Sequence, residues 1–98
     1  MKRKITFMTE AKASITITNR IGIHARPARL LVQTAASFQS KIQLQCDNKA
    51  ANAKSIVGVL KLGAVQGTTL IIHAEGEDAQ EAISALIGLV ERKFDEEG

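Results

Sequence analysis

The 98-residue sequence is long enough for one compact domain and too short for two. Apolar residues make up 45% and charged residues 23%, which is ordinary globular usage and argues against disorder or a disulfide scaffold. The apolar runs fall short of the roughly 18 residues that a membrane span requires, and residues 1–4 lead into polar sequence. We therefore expect a cytoplasmic protein without membrane insertion. A single cysteine, Cys46, excludes an intrachain disulfide and argues against a cysteine-based zinc site.

Charge is divided unevenly along the chain. Residues 1–54 hold ten Lys or Arg and two acidic residues, whereas residues 55–98 hold three and eight. This asymmetry could give the molecule two oppositely charged sides, and it suits either nucleic acid or an acidic protein partner. The sequence has no Trp or Tyr and only three Phe, so the basic half lacks the aromatics on which single-stranded bases stack. We therefore expect protein partners and no nucleic acid.

The first half of the chain predicts a strand, a helix and a hairpin. Residues 1–11 show no sustained period and are predicted to form a flexible extension before a single domain, residues 12–98. Alternating apolar and polar side chains predict a strand over residues 12–18, and residues 19–22 have turn chemistry. Apolar positions at helical spacing behind Pro27 predict a helix over about residues 25–38. Alternation returns over residues 41–46, and Asp47 and Asn48 turn the chain into a short strand around residues 50–53.

The second half predicts a short helix, a strand and a final helix. Ser55 is placed to cap a helix that ends near Leu62, where Gly63 can adopt the left-handed conformation. Alternation over residues 69–74 predicts a fourth strand, and Asp78 opens the last helix. The apolar stripe of that helix consists of Ala79, Ala82, Ile83, Leu86 and Val90. The order βαββαβα predicts an α+β fold in two layers, a four-stranded antiparallel sheet covered on one face by three helices.

The segment GIHARPA, residues 22–28, places a histidine at the amino end of the first predicted helix. The free N–H groups and the positive dipole end of a helix bind phosphate, and a neutral imidazole beside them is a nucleophile. Arg26 can contact phosphate oxygens, and Arg29 can strengthen the positive electrostatic field at the helix end. Gly22 lets the backbone approach the phosphate, because it has no side chain. An isolated histidine at a helix start is more often a cap. The neighbouring glycine, arginine and proline favour phosphoryl transfer at His24.

GIHARPA closely resembles the active-site motif of the HPr family, the histidine-containing phosphocarriers of the bacterial phosphotransferase system. A second segment, NAKSIVGVL at residues 52–60, resembles the region around that family's regulatory serine, and the resemblance covers about residues 12–94. It implies an open-faced β-sandwich, phosphorylation at Nδ1 of His24, and assistance from Arg26. It also implies that enzyme I supplies the phosphoryl group from phosphoenolpyruvate and that IIA proteins or domains receive it. We expect a monomer without cofactor or metal, acting as a transferase component rather than a stand-alone enzyme.

Ser55 combines a structural and a possible regulatory role. As a helix cap it needs no further function, but in part of the HPr family an ATP-dependent kinase, HPr kinase/phosphorylase, phosphorylates this serine. The short helix behind it holds more apolar groups than it can bury, so an exposed patch beside His24 is expected. The family docks enzyme I and IIA partners in this region. The resemblance therefore assigns partner binding to Arg29, Ile56, Val57 and Leu60.

Further expectations concern His73, the two termini and the alternative functions. His73 lies on the polar phase of its strand and is expected to be solvated rather than catalytic or a metal ligand. The two termini, residues 1–11 and 94–98, are expected not to touch the active-site motif. The alternatives to a sugar-transport carrier are a nitrogen-branch phosphocarrier and a regulatory binding module that uses the same surface as a phosphorylation-controlled switch. A basic nucleic-acid-binding domain is less favoured.

Overall fold

The computed structural model describes residues 9–96, and its strands and helices follow the predicted order βαββαβα. The strands are β1 (Glu10–Thr16), β2 (Lys41–Cys46), β3 (Lys49–Asn52) and β4 (Thr69–Glu75). The helices are α1 (Ala25–Ala36), α2 (Ile56–Lys61) and α3 (Ala79–Glu91), and a short turn, Lys93–Asp95, follows α3. Among the helices of residues 9–96, none has the length and apolar character that crossing a bilayer requires.

The four strands form one antiparallel sheet in the order β1-β4-β2-β3. Alternation decides which side chains face the helices, because successive residues of a strand point to opposite faces. Ile15, Leu44 and Ile72 are buried and share a core with the inward faces of the three helices. The outer face carries polar residues such as Lys12 and Gln43, which lie on either side of the same residue of β4. The predicted two-layer architecture is confirmed.

The boundaries of several elements differ from the prediction by one or two residues; β1, for example, ends at Thr16 rather than residue 18. β1 begins at Glu10 rather than residue 12, since Ala11 is buried and pairs with Ala74 of β4. Residues 1–8 of the predicted extension lie outside the described residues, and their flexibility stays a prediction. α1 ends at Ala36 rather than residue 38, because Ser37 directs its amide and its hydroxyl back to the carbonyl of Thr34. Such a bond closes the last turn and terminates the helix.

The basic and acidic halves of the sequence interleave in the sheet. β4 comes from the acidic half and lies between β1 and β2, which come from the basic half. Glu75 pairs with Glu10 on one side and Lys41 on the other. The expectation of two oppositely charged sides is therefore wrong for the sheet, since its topology mixes the two halves of the chain.

Asp78 connects the start of α3 to the loop after α1. It occupies the amino cap of α3, as predicted, but its carboxylate does not bond the helix. Instead it accepts hydrogen bonds from the amides of Gln39 and Ser40 at 2.8 and 2.9 Å and from the Ser40 hydroxyl. The Ser40 hydroxyl and the Gln39 amide hold the pKa of Asp78 below its usual value, because they stabilise the ionised carboxylate.

Candidate functional site

The loop before α1 packs tightly against the backbone that follows α2. The Ile23 amide donates to the Ala64 carbonyl at 2.9 Å. Gly22 has φ +82°, and a Cβ at this position would lie 2.6 Å from the Ala64 oxygen and 2.7 Å from Cα of Val65. The backbone that approaches Gly22 closely is thus that of this chain, at Ala64 and Val65. The position requires a residue that leaves room for this contact and adopts a positive φ without strain, and glycine does both because it has no side chain.

His24 occupies the amino cap position of α1 without capping the helix through its side chain. Its carbonyl accepts from the Ala28 amide at 2.8 Å, while its imidazole makes no bond to the helix backbone. The side chain is 38% exposed. The interpretation of His24 as a simple side-chain cap is therefore not supported, and the ring is open to other contacts.

The carboxyl-terminal segment reaches the GIHARPA motif, contrary to expectation. Nε2 of His24 lies 3.0 Å from a carboxylate oxygen of Glu96. Arg26 donates from Nη1 to the Phe94 carbonyl at 2.8 Å and lies 3.8 Å from the same Glu96 oxygen. The segment turns back because Lys93, Phe94 and Asp95 all have positive φ, and Phe94 is fully buried. An aromatic residue shortly after the α3 stripe was the signal in the sequence that this segment packs on the domain.

Asn19 is a second contact that sequence reasoning did not find. It is fully buried, and its side-chain amide donates to the Gly22 carbonyl at 2.7 Å and to Glu96 Oε1 at 3.0 Å. Its own Oδ1 has no hydrogen-bond partner within residues 9–96. The two oxygens of Glu96 are thus divided between Asn19 and His24. The sequence assigned Asn19 only to a turn.

The amino end of α1 offers hydrogen-bond donors beside His24. Pro27 has no N–H and the Ala28 amide is engaged, whereas the amides of Ala25 and Arg26 have no hydrogen-bond partner among the described residues. The Arg26 side chain is about half exposed. A hollow of about 250 Å³ adjoins it, lined by Arg20, Ile21, Arg26 and Glu96. Free amides, the helix dipole and a guanidinium together can neutralise an anion.

Ser55 caps α2 as predicted. Its Oγ accepts a hydrogen bond from the Gly58 amide at 3.1 Å, and the side chain is half-buried. The preceding Lys54 donates from Nζ to the Phe38 carbonyl at 2.7 Å, just beyond the end of α1. The serine hydroxyl therefore lies at the start of α2, next to a lysine whose side chain reaches the end of α1.

The short helix carries exposed apolar side chains, as expected. Ile56, Val57 and Leu60 are between 41% and 59% exposed, whereas Val59 and Leu62 are buried. Two further apolar side chains, which the sequence did not single out, are about 60% exposed in the loops before α1 and after α2. We call this set the apolar patch; it consists of Ile21, Ile56, Val57, Leu60 and Val65. Arg29 is exposed on α1.

His73 lies elsewhere, on the outer face of the sheet. Its Nε2 is 3.4 Å from Glu10 Oε2, and its side chain is 31% exposed rather than fully solvated. Glu75 completes a group whose possible ligand atoms lie within 4.8 Å of one another. This group occupies the end of β4 remote from the loop after α2, which packs against Gly22 and Ile23.

Comparison with known proteins agrees with this geometry. The family described as "PTS HPr component phosphorylation site" matches residues 11–92. The phosphocarrier protein HPr of Xylella fastidiosa (strain Temecula1) is 45% identical over 83 residues, which are 85% of this chain and 93% of that protein. A crystal structure of HPr from Thermoanaerobacter tengcongensis is 51% identical with a TM-score of 0.87, covering 90% and 99% of the two chains. A crystal structure of an HPr dimer from the same organism is 47% identical with a TM-score of 0.72, covering 97% and 100%.

The family match includes the GIHARPA segment and Ser55, and it ends before the segment that contacts His24. Both the coverage and the identity exceed what shared architecture alone would give. The chain therefore belongs to the HPr family, the phosphocarrier proteins of the phosphotransferase system.

Proposed function

We propose that this protein carries a phosphoryl group on Nδ1 of His24, received from phosphoenolpyruvate-charged enzyme I and passed to IIA proteins or domains. The observation that carries the proposal is the placement of the His24 imidazole at the open amino end of α1, next to the two unpartnered amides of Ala25 and Arg26. Within residues 9–96, the ring's hydrogen bond is made through Nε2, which leaves Nδ1 available.

Phosphoryl transfer depends mainly on positioning and charge neutralisation. The Nδ1 lone pair forms a bond to phosphorus while the bond from phosphorus to the donor atom breaks, and its electron pair leaves with the donor. The amides at the start of α1 and the dipole of that helix would face the negative charge that arrives. The Arg26 guanidinium, about half exposed, would add a charge-assisted contact. Transfer onward reverses the same step.

The apolar patch supports docking of the protein partners. Large exposed apolar side chains on a small domain mark interaction surfaces, and these lie on α2, in the loop before α1 and in the loop after α2. The loop after α2 packs against the loop before α1, which carries both Ile21 and His24. Arg29 places a cation on the neighbouring helix, which suits an acidic partner. We propose that Arg29, Ile56, Val57 and Leu60 contact enzyme I and IIA proteins, with the carrier acting as a monomer in the cytoplasm.

Ser55 is a candidate for regulation by HPr kinase/phosphorylase. A phosphate there would lie at the amino end of α2, where the helix dipole tolerates a dianion, and next to Ile56 and Val57 of the apolar patch. It would thus change the charge of the docking surface without requiring a different fold. Incubation with the kinase and ATP, followed by mapping of the modified peptide, tests this role, and an unmodified Ser55 would remove it.

The test of the main function uses enzyme I and labelled phosphoenolpyruvate. We expect an acid-labile, alkali-stable label on the wild type, as a phosphohistidine requires, and no label on His24→Ala. The matched control is His73→Ala, which removes the other histidine and should be labelled normally. A label that persists in His24→Ala, or that disappears in His73→Ala, contradicts the proposal.

A further inference from the structure

The bond between Nε2 of His24 and the Glu96 carboxylate has a consequence for which ring nitrogen can react. We propose that Glu96 is a positioning residue for phosphoryl acceptance: it keeps the imidazole proton on Nε2 and thereby presents the lone pair of Nδ1. The inference rests on the proposed function of His24 and names a further residue that serves it. Glu96 lies beyond the 11–92 segment that the family match covers.

The hydrogen-bonding capacities of the imidazole and the carboxylate decide which ring nitrogen holds the proton. A neutral imidazole has one N–H donor and one lone pair, and the partner of one nitrogen decides where the proton resides. An ionised carboxylate can only accept. With Glu96 Oε2 at 3.0 Å from Nε2, the proton of the neutral ring therefore belongs on Nε2. Nδ1 then carries the lone pair that must attack phosphorus.

Glu96 is itself held in place, as a positioning residue must be. Its side chain is only 18% exposed, and its other oxygen accepts from the buried Asn19 amide at 3.0 Å. The backbone just before it is anchored by Phe94, which is fully buried and whose carbonyl accepts from Arg26 at 2.8 Å. The same chain segment thus orients both His24 and Arg26. Such support lowers the number of orientations that the imidazole can adopt.

The carboxylate also lies where charge develops during the reaction. As the Nδ1 lone pair forms the bond to phosphorus, positive charge builds on the ring while the proton stays on Nε2. Glu96 faces that N–H, on the nitrogen that does not receive the phosphoryl group. A pre-placed negative group at this point stabilises the developing cation without having to reorganise. The orientation and this stabilisation act on the chemical step rather than on partner docking.

The test compares Glu96→Ala and Glu96→Gln with Asp95→Asn. Alanine removes the acceptor, whereas glutamine keeps an acceptor oxygen without the charge. Asp95→Asn makes the same change of charge one residue away, where the carboxylate contacts only Arg92 among the described residues. We expect kcat for acceptance from phosphorylated enzyme I to fall roughly threefold to tenfold in Glu96→Ala, with KM unchanged. Glu96→Gln should fall between Glu96→Ala and the wild type, and Asp95→Asn should match the wild type.

Nitrogen-15 NMR of the imidazole gives a readout independent of enzyme I. In the wild type at a pH where the ring is neutral, Nε2 should show the shift of a protonated nitrogen and Nδ1 that of an unprotonated one. In Glu96→Ala the two shifts should move toward each other as the tautomers mix. A proton on Nδ1 in the wild type, unchanged shifts in Glu96→Ala, or an unchanged or higher kcat in that variant overturns the inference.

These outcomes separate the inference from the function on which it rests. If the wild type takes up no label at all, the proposed function fails, and the NMR spectra still decide whether Glu96 directs the proton. If the wild type and Glu96→Ala are labelled at equal rates while His24→Ala is not, the function stands and the role of Glu96 is refuted. Urea unfolding of each variant shows whether the domain remains folded under the assay conditions.

Discussion

Replacing Gly22 with alanine tests how closely the loop before His24 packs against the segment after α2. The new Cβ would lie 2.6 Å from the Ala64 oxygen and 2.7 Å from Cα of Val65, both of them backbone atoms. Neither can move as the end of a flexible side chain would. The residue would also have to adopt φ near +82°, which is unfavourable for any L-residue with a side chain.

The magnitude follows from separating these two effects. Positive φ costs a non-glycine residue about 1–2 kcal/mol, and overpacking against backbone adds about 1–3 kcal/mol. Gly63→Ala is the matched control, because Gly63 has φ +63° and a Cβ there would meet nothing within 4 Å. We therefore expect Gly22→Ala to lower the free energy of unfolding by about 2–5 kcal/mol and Gly63→Ala by about 1–2 kcal/mol.

Thermal unfolding resolves a difference of this size. For a domain of 60–100 residues, 1 kcal/mol shifts Tm by about 4–8 °C, so Gly22→Ala should melt about 4–24 °C below Gly63→Ala. Acceptance of phosphate by His24 should also slow in Gly22→Ala, since a displaced loop moves the imidazole. Equal Tm values for the two variants would refute the reasoning, because they would show that the contacts with Ala64 and Val65 relax without cost.

Three further predictions concern other parts of the domain. Asp78→Asn should destabilise the protein at neutral pH but not in acid, because the Ser40 hydroxyl and the Gln39 amide lower the pKa of Asp78 in the folded state. The stabilisation that the ionised carboxylate contributes is present above the usual pKa of the carboxyl group. It is lost as the pH falls through the lower pKa of the folded state. Urea unfolding at several pH values checks this, and a difference from wild type that persists below the folded pKa contradicts it. Ser55→Ala should cost about 1 kcal/mol in the same assay, because the Gly58 amide loses its cap, and an unchanged midpoint would show that the cap is not needed. Arg26→Ala should slow phosphoryl transfer roughly tenfold or more while shifting Tm by only a few degrees, and unchanged transfer rates would remove its role.

The fold was largely predictable because its signals are local and agree with one another. Period-two alternation in β2 and β4 indicated which side chains are buried, and Ile42, Leu44, Leu70 and Ile72 lie in the core as that alternation requires. The cap at Ser55 is likewise a short-range hydrogen bond that residue type and spacing can indicate. Element ends were less predictable, since Ser37 closes α1 through a side-chain bond that propensity does not reveal.

Only the site residues that are close together in the sequence were predictable. His24 and Arg26 are two residues apart and belong to one motif, so the sequence places them together. Glu96 is 72 residues from His24, and its approach depends on the buried Phe94 and a turn with positive φ. Acidic residues near a chain end are common, and no spacing rule connects them to a distant histidine. Tertiary packing alone brings them into contact.

The central position of β4 determines when this site can be assembled during synthesis of the chain. β1 has no neighbour in the sheet until β4 has been made, because β4 is the strand that lies between β1 and β2. The partner of the His24 ring comes later still, since Glu96 follows α3. Such non-local pairing slows folding, because long loops must close before their contacts can form. A nascent chain therefore displays the GIHARPA segment well before the surroundings of its histidine are complete, and full phosphate acceptance should develop only once the chain through Glu96 has folded.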